Sequence, residues 1–309
     1  MRSELDDGVL ARQVVADNLT VMRIRPFSTP GRFWRGNLRE HSSLSDGALN
    51  PWMFSDHFLD RFDWPIADTR KLRSNSFTIL IGAEVRAMGT SAGEYWHIVA
   101  TGLPVDFPRA APNESGPRLA ERAREAGALV AIRPSVVVAT DDRGRPYNHA
   151  CAVTTDLGDG FYILDQLCNE ERRLTAVVGG DAHFHNGDLD AFGGYVLVKS
   201  ESLEPESLLG ALKAGEFYST QGPRIYNIEL TRDEVRVECS PVHTLALDTC
   251  ASPAVSRVGR GLTQATIEFA EVTKWAWRDP PPFKSFRIVA IDGPRRRAWT
   301  NPIWVDAFD

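Results

Sequence analysis

The stretch LTAVVGGDAH, residues 174–183, decides how this chain is read. Its apolar and β-branched residues form a strand, two glycines permit close backbone approach, and Asp181 and His183 follow at the strand's end. Polar side chains at strand ends are how a βα protein builds a site, because the strands fix the scaffold and the loops supply the ligands. Working outward, the arrangement recurs. FTILIGAEV (77–85) carries Glu84, HIVATGL (97–103) opens on His97, and LVAI (129–132) runs into Arg133-Pro134. Upstream stand Arg39-Glu40-His41, Asp46-Gly47 and Asp56-His57.

Helical patterns alternate with these strands. Ser115 is an N-cap, Leu119, Ala123 and Ala126 share a face, and Gly127 ends that helix. Pro205 opens another, with Leu208, Leu209 and Leu212 inward and Gly215 closing it. This rhythm holds from Phe33 to Pro223 and is that of an α/β domain. After Gly222-Pro223 the period changes to two. Residues 224–230 and 234–240 alternate about Thr231-Arg232-Asp233 as a hairpin, and short strands recur at 265–269, 285–291 and 297–300. The expected organisation is an N-terminal extension (1–32), an α/β metal-binding domain (33–223) and a β-rich C-terminal domain (224–309).

Bulk composition narrows the function. Hydrophobic residues at 43% and charged residues at 25% describe a globular chain. A net charge of −6 argues against nucleic acid held by general electrostatics. No apolar run is long enough to span a membrane, and no signal-peptide pattern opens the chain, so a cytoplasmic location is expected. Cys151, Cys168, Cys239 and Cys250 form no C-x-x-C pair and fit neither a zinc ribbon nor a disulfide framework.

Six of the seven histidines lie between residues 41 and 185, most beside an acid or at a strand end. Imidazole and carboxylate donors without thiolates suit Zn²⁺, Mn²⁺ or Fe²⁺ in a catalytic rather than a structural site. His149 and His185 are read as surface residues, and Trp275, Trp277, Trp299 and Trp304 as core or interface aromatics. Tyr218-Ser219-Thr220 is read as an inter-domain turn.

The ordered series Gly36-Asn37-Leu38, His41-Ser42, Ser45-Asp46-Gly47, Asp56-His57, Gly82-Ala83-Glu84, His97, Arg133-Pro134 and Asp181-Ala182-His183 resembles the polymerase and histidinol phosphatase (PHP) superfamily. The segment 215–223 (GEFYSTQGP) resembles the branch that includes carbaryl-hydrolase-like metallohydrolases. The resemblance implies a distorted (β/α)7 TIM-like barrel with up to three metals. It implies His41, Glu84 and Asp181 for a first metal, Asp46, His57 and a bridging Glu84 for a second, and His97 with His183 for a third. It also implies a small-molecule phosphoester or carbamate or carboxylic ester as substrate; the retained His/Glu/Asp set suggests cleavage by metal-activated water, with Asp181 or His183 relaying protons.

The chain departs from the family where two ligand histidines are replaced by Arg39 and Arg133. Arginine stays protonated and offers no lone pair, so one or two divalent ions are expected rather than three. The two arginines either impair the site or grip an anionic substrate. The separation between Gly47 and His57 is also too short for a βα unit, which leaves the barrel short of an element. The alternative reading is a catalytically inactive PHP-fold binding protein in which arginine neutralises the old site.

Overall fold

A computed structural model describes residues 12–13, 23–24, 26–27, 29–47, 55–88, 95–132, 147–148, 160–184, 193–250, 254–274 and 283–308. The strands are β1 (Arg12–Gln13), β2 (Arg23–Ile24), β3 (Arg32–Gly36), β4 (His57–Phe58), β5 (Gly82–Met88), β6 (Tyr95–Thr101), β7 (Leu129–Ile132), β8 (Tyr147–Asn148) and β9 (Val178–Gly179). They continue as β10 (Tyr195–Ser200), β11 (Phe217–Thr220), β12 (Ile225–Leu230), β13 (Glu234–Thr249), β14 (Ala254–Glu268), β15 (Ser285–Ile291), β16 (Arg297–Thr300) and β17 (Ile303–Trp304). Among the described residues, the α-helices are Gly116–Glu125, Phe161–Asn169, Pro205–Lys213 and Phe269–Lys274.

The molecule is a mixed α/β protein dominated by sheet. Its main sheet runs β1-β2-β12-β13-β15-β16-β11-β10-β3, with β14 added to β13 and β17 to β15. The hairpin expected about Thr231-Arg232-Asp233 is present, with Leu230 opposite Val235. Along β13, Val235, Val237 and Cys239 are buried while Arg236 and Glu238 face out, the period-two alternation of a one-sided sheet. Each such valine contributes on the order of 1.5–3 kcal/mol by leaving water. One sheet takes strands from both sides of residue 223: β11 pairs with β10 and β16, and β10 with β3. The Tyr218 hydroxyl accepts from the Ile225 amide at 3.0 Å and pins the turn between β11 and β12.

The second sheet, β4-β5-β6-β7, carries most of the site. Here the (β/α)7 expectation needs correction. β5 pairs antiparallel with β6, and β6 antiparallel with β7. Too few residues separate Met88 from Tyr95 for a helical crossover, which takes about a dozen or more, so β6 must return as a hairpin. Among the described residues, parallel pairing occurs only in short pieces: His57 beside Glu84, Tyr147 beside Val178, and a bridge from Glu40 to Ala182. Residues 77–81, expected to begin a strand, approach β5 without joining it.

Helix Gly116–Glu125 forms as its sequence dictates. Ser115 accepts from the Arg118 amide at its start, Leu119 and Ala123 are buried, and Gly127 follows its end at φ +94°. Ala126 lies beyond the last turn and is exposed. Helix Phe161–Asn169 was not anticipated; it buries Phe161, Leu164 and Cys168 beneath Trp299 and Trp304. No described helix is long and apolar enough to cross a membrane.

Candidate metal centre

Three short backbone pieces converge on one place. The Asp181 amide donates to the Arg39 carbonyl and the His41 amide donates to the Ala182 carbonyl, both at 2.9 Å, so residues 39–41 and 181–183 run side by side. The Glu84 amide donates to the Asp56 carbonyl at 2.9 Å and brings His57 alongside. Asp56 itself is committed to the loop. Its carboxylate accepts from the Ser42 amide (2.8 Å), the Ser42 hydroxyl (2.7 Å) and the Ser45 hydroxyl (2.7 Å), which fixes the turn that carries Asp46.

Gly180 explains how Asp181 reaches inward. A Cβ at Gly180 would stand 2.7 Å from Glu40 Oε1 and 2.8 Å from Asn37 Nδ2. Asp181 then adopts φ +60°, a left-handed conformation that aspartate tolerates better than most residues. Its carboxylate turns back onto Arg39 and His41.

The histidines share one geometry. His41 presents Nδ1 to Asp46 Oδ1 at 3.8 Å, while its Nε2 meets Asp181 Oδ1 at 3.1 Å. His57 presents Nε2 to Asp46 Oδ2 at 3.2 Å, with Nδ1 3.3 Å from Glu84 Oε1. His183 presents Nε2 to Asp46 Oδ1 at 3.6 Å, and its Nδ1 donates to the Asp181 carbonyl at 3.0 Å. Each ring thus leans on an acceptor with one nitrogen and offers the other to Asp46. One donor atom from each of His41, Asp46, His57 and His183 lies within 4.8 Å of the others. The spacings suit an ion, since donors held ~2.0–2.1 Å from a tetrahedral metal stand about 3.3 Å apart. Buried His41 Nδ1 has no hydrogen-bond partner among the described residues. The residues therefore fit a divalent cation held by three nitrogens and one carboxylate.

A second group, His41, Glu84 and Asp181, also brings its donor atoms within 4.8 Å. Arg39 already runs through it. Its Nη2 lies 2.5 Å from Glu84 Oε2, and its Nε lies 2.6 Å from Glu84 Oε2 and 2.8 Å from Asp181 Oδ1. Arg39 is 1% exposed. A guanidinium bonded to both carboxylates stands where a cation shared by them would stand, so this group does not fit a second metal.

His97 and His183, paired by the family resemblance, make different contacts: His183 joins the Asp46 group and His97 does not. His97 Nδ1 contacts Glu84 Oε1 at 2.5 Å, outside both groups. Arg86 was not singled out from sequence, although it alternates with Glu84 on one face of β5 and pairs with His97 across the hairpin. Its Nη2 stands 2.9 Å from His57 Nε2 and its Nε 3.4 Å from Glu84 Oε1. Arg133, His149, His185, Trp275 and Trp277 lie outside the described residues.

Electrostatics follow from this packing. Glu84 is fully buried, which opposes its charge, yet Arg39 and the His57 and His97 bonds hold its carboxyl well below the usual range. Burial also opposes the charge on Asp46, but His57, His41 and His183 together pull its carboxyl down. Burial lowers His41 and His97 toward the neutral imidazole, the form that can donate a lone pair. His57 is raised, because Asp46 and Glu84 outweigh its burial. Asp46, Glu84 and Asp181 bring three negative charges against the two of Arg39 and Arg86. One dication would reverse the balance and make the centre attractive to anions.

No family model matches this chain, and no curated protein matches it. Among solved structures it is similar to a two-domain protein from Bacteroides vulgatus ATCC 8482 described as containing a predicted PHP-like metal-dependent phosphoesterase. The two share 12% identity at a TM-score of 0.38, over 90% of this chain and 98% of that one. An overlap that loose carries neither fold nor chemistry across.

Proposed function

We propose that this protein is a hydrolase dependent on one divalent metal, acting on a small anionic ester. The observation that carries the reading is the set of three imidazole nitrogens facing the Asp46 carboxylate. His41 Nδ1, His57 Nε2, His183 Nε2 and Asp46 would hold the ion, with Arg86 Nη2 giving up its 2.9 Å contact on His57 Nε2 as the metal enters. With a fifth position open to solvent, a metal so bound would lower the pKa of water toward neutrality and polarise a phosphoryl or carbonyl oxygen. Zn²⁺, Mn²⁺ and Fe²⁺ all accept this donor set.

The chain's own residues divide the remaining work. Glu84 and Asp181 orient the rings of His57 and His41, the carboxylate–histidine arrangement that sharpens a ligand's aim. Asp181 keeps its oxygen on Arg39 and on His41 Nε2, so its part is positioning rather than proton transfer. His183, with 27% of its side chain exposed, is aimed by the bond from its Nδ1 to the Asp181 carbonyl, which turns Nε2 toward Asp46 and the ion. Arg86 lies between His57 and Glu84 at the rim, where its planar fork suits a phosphate or carboxylate oxygen of the substrate. Placement in the PHP superfamily, and in its carbaryl-hydrolase-like branch, is part of this proposal and rests on the ordered residue series and on segment 215–223.

Assays of protein loaded with each metal in turn, against aryl phosphomonoesters, phosphodiesters and naphthyl carbamates, test the reading. Turnover that chelation removes and one metal restores supports it. Protein that binds metal and turns over none of the three classes contradicts it. A second reading, a binding protein without activity, has its own observation: Arg39 and Arg86 already neutralise most of the acidic cluster. That protein would show neither metal dependence nor turnover.

A further inference from the structure

Away from the histidines, helix Phe161–Asn169 meets the end of β13 in a cluster that the proposed reaction does not use. Cys168 and Cys250 are both buried there, packed with Phe161, Leu164 and Trp299. Asn169 Nδ2 donates to the Cys250 carbonyl at 2.7 Å, so the residue after one cysteine is fastened to the backbone of the other. The Ser285 hydroxyl donates to Cys250 Sγ at 3.2 Å, and Cys168 and Cys250 interact within the same buried cluster. Nearby, the buried Arg287 guanidinium is forked between Asp165 Oδ2 at 3.0 Å and Asp248 Oδ2 at 2.5 Å.

Two donors aimed at one sulfur stabilise its anion. The Cys168 thiol, then the Ser285 hydroxyl, outweigh burial and draw Cys250 below its ordinary range, while acting as donor pushes Cys168 far up. Of the two sulfurs, Cys250 is the one that also receives the Ser285 hydroxyl at 3.2 Å, which favours the anion there and leaves the proton on Cys168. Cys239 differs. Burial pushes it up to about 11, and its thiol is directed at the Leu262 carbonyl at 3.7 Å.

We infer that Cys168 and Cys250 are an oxidisable dithiol that closes to a disulfide on reaction with a hydroperoxide. Cys250 thiolate attacks one peroxide oxygen, the O–O bond breaks, and hydroxide leaves to take up the proton lost by the thiol. Cys168 sulfur then attacks the Cys250 sulfenic sulfur, the S–O bond breaks, and water leaves with the Cys168 proton. Two thiols and one hydrogen peroxide become one disulfide and two waters; the sulfurs lose two electrons and the peroxide gains them. The bond fastens helix Phe161–Asn169 to the main sheet. An external dithiol reverses it.

The test uses the full chain, treated natively with hydrogen peroxide, quenched with catalase, unfolded in an alkylating reagent and mapped by mass spectrometry. The wild-type map decides: alkylatable cysteines fall from four to two, and the peptides containing Cys168 and Cys250 appear as one linked species that reductant separates. In Cys168→Ser, Cys250 alone gains a single oxygen that dimedone traps; in Cys250→Ser, the other three cysteines stay alkylatable. Retention of four thiols in the wild type, or a link that uses Cys151 or Cys239 instead, overturns the inference.

Discussion

Arg39 Nη2 stands 2.5 Å from Glu84 Oε2, with 1% of one side chain and none of the other exposed to solvent. A buried pair of this kind is costly to break, because the survivor keeps its charge without a partner. Arg39→Met is therefore expected to lower the stability of metal-free protein by about 3–5 kcal/mol, read by urea denaturation. Arg39→His exchanges the cation for a lone pair, so added Zn²⁺ or Mn²⁺ should restore part of that loss and raise the ions held per chain. Equal stability of wild type and Arg39→Met would mean that the pair does not hold Glu84 in place.

Asp46 separates metal binding from folding. Its side chain is 34% exposed, and the loop that bears it is fixed by Asp56 and the serines rather than by its own carboxylate. Asp46→Ala removes the acceptor that three histidines face, and should cost about 1–3 kcal/mol of metal-free stability. It should also abolish the stabilisation that an excess of the ion gives the wild type. Thermal melts with and without metal, on both proteins, read the two effects separately.

Gly180→Ala probes the approach of residues 181–183. The added methyl meets Glu40 Oε1 and Asn37 Nδ2 well inside van der Waals contact, an overpacking that costs about 1–3 kcal/mol. Because Asp181 is the next residue, the displacement should also weaken metal affinity, measured by chelator competition. Loss of stability at unchanged affinity would show that the 39–41 and 181–183 strands move together as one body.

Glu216 gives a pH signature independent of the metal centre. It is buried, and Oε2 has no hydrogen-bond partner among the described residues. Burial raises its pKa, against a bond from Thr29 and the charge of Lys199. The folded form therefore holds this proton more tightly than the unfolded chain does. The contribution favours folding below the ordinary carboxylate range and is lost as pH rises through the folded value. Glu216→Gln should melt close to wild type near about pH 4 and above it near about pH 7. A constant offset across that range would contradict the assignment.

Much of this was legible in the residues themselves. The C-terminal strands follow from strict alternation, and helix Gly116–Glu125 from Ser115 and Gly127, because those signals are local. His41, Asp46, His57, Glu84 and Asp181 were each visible as an acid or imidazole in a short cluster or at a strand end. Their grouping was not. That His183 faces Asp46 while His97 leans on Glu84 depends on the antiparallel return of β6, which the spacing from Met88 to Tyr95 implies but the family resemblance overrode. Arg86 was missed for a related reason: it takes its meaning from His97 across the hairpin, and cross-strand pairs are not local in sequence. That one sheet takes strands from both sides of residue 223 was hidden because a change of period marks a change of element and not the edge of a sheet.

The most direct measurement is the number of divalent ions bound per chain, by elemental analysis of protein purified without chelators and then equilibrated with Zn²⁺ or Mn²⁺. A single ion, lost in Asp46→Ala and retained in Cys239→Ser, is the predicted result. Two or three ions in the wild type would contradict the placement of Arg39 as the cation of the second group, and none would contradict the centre itself.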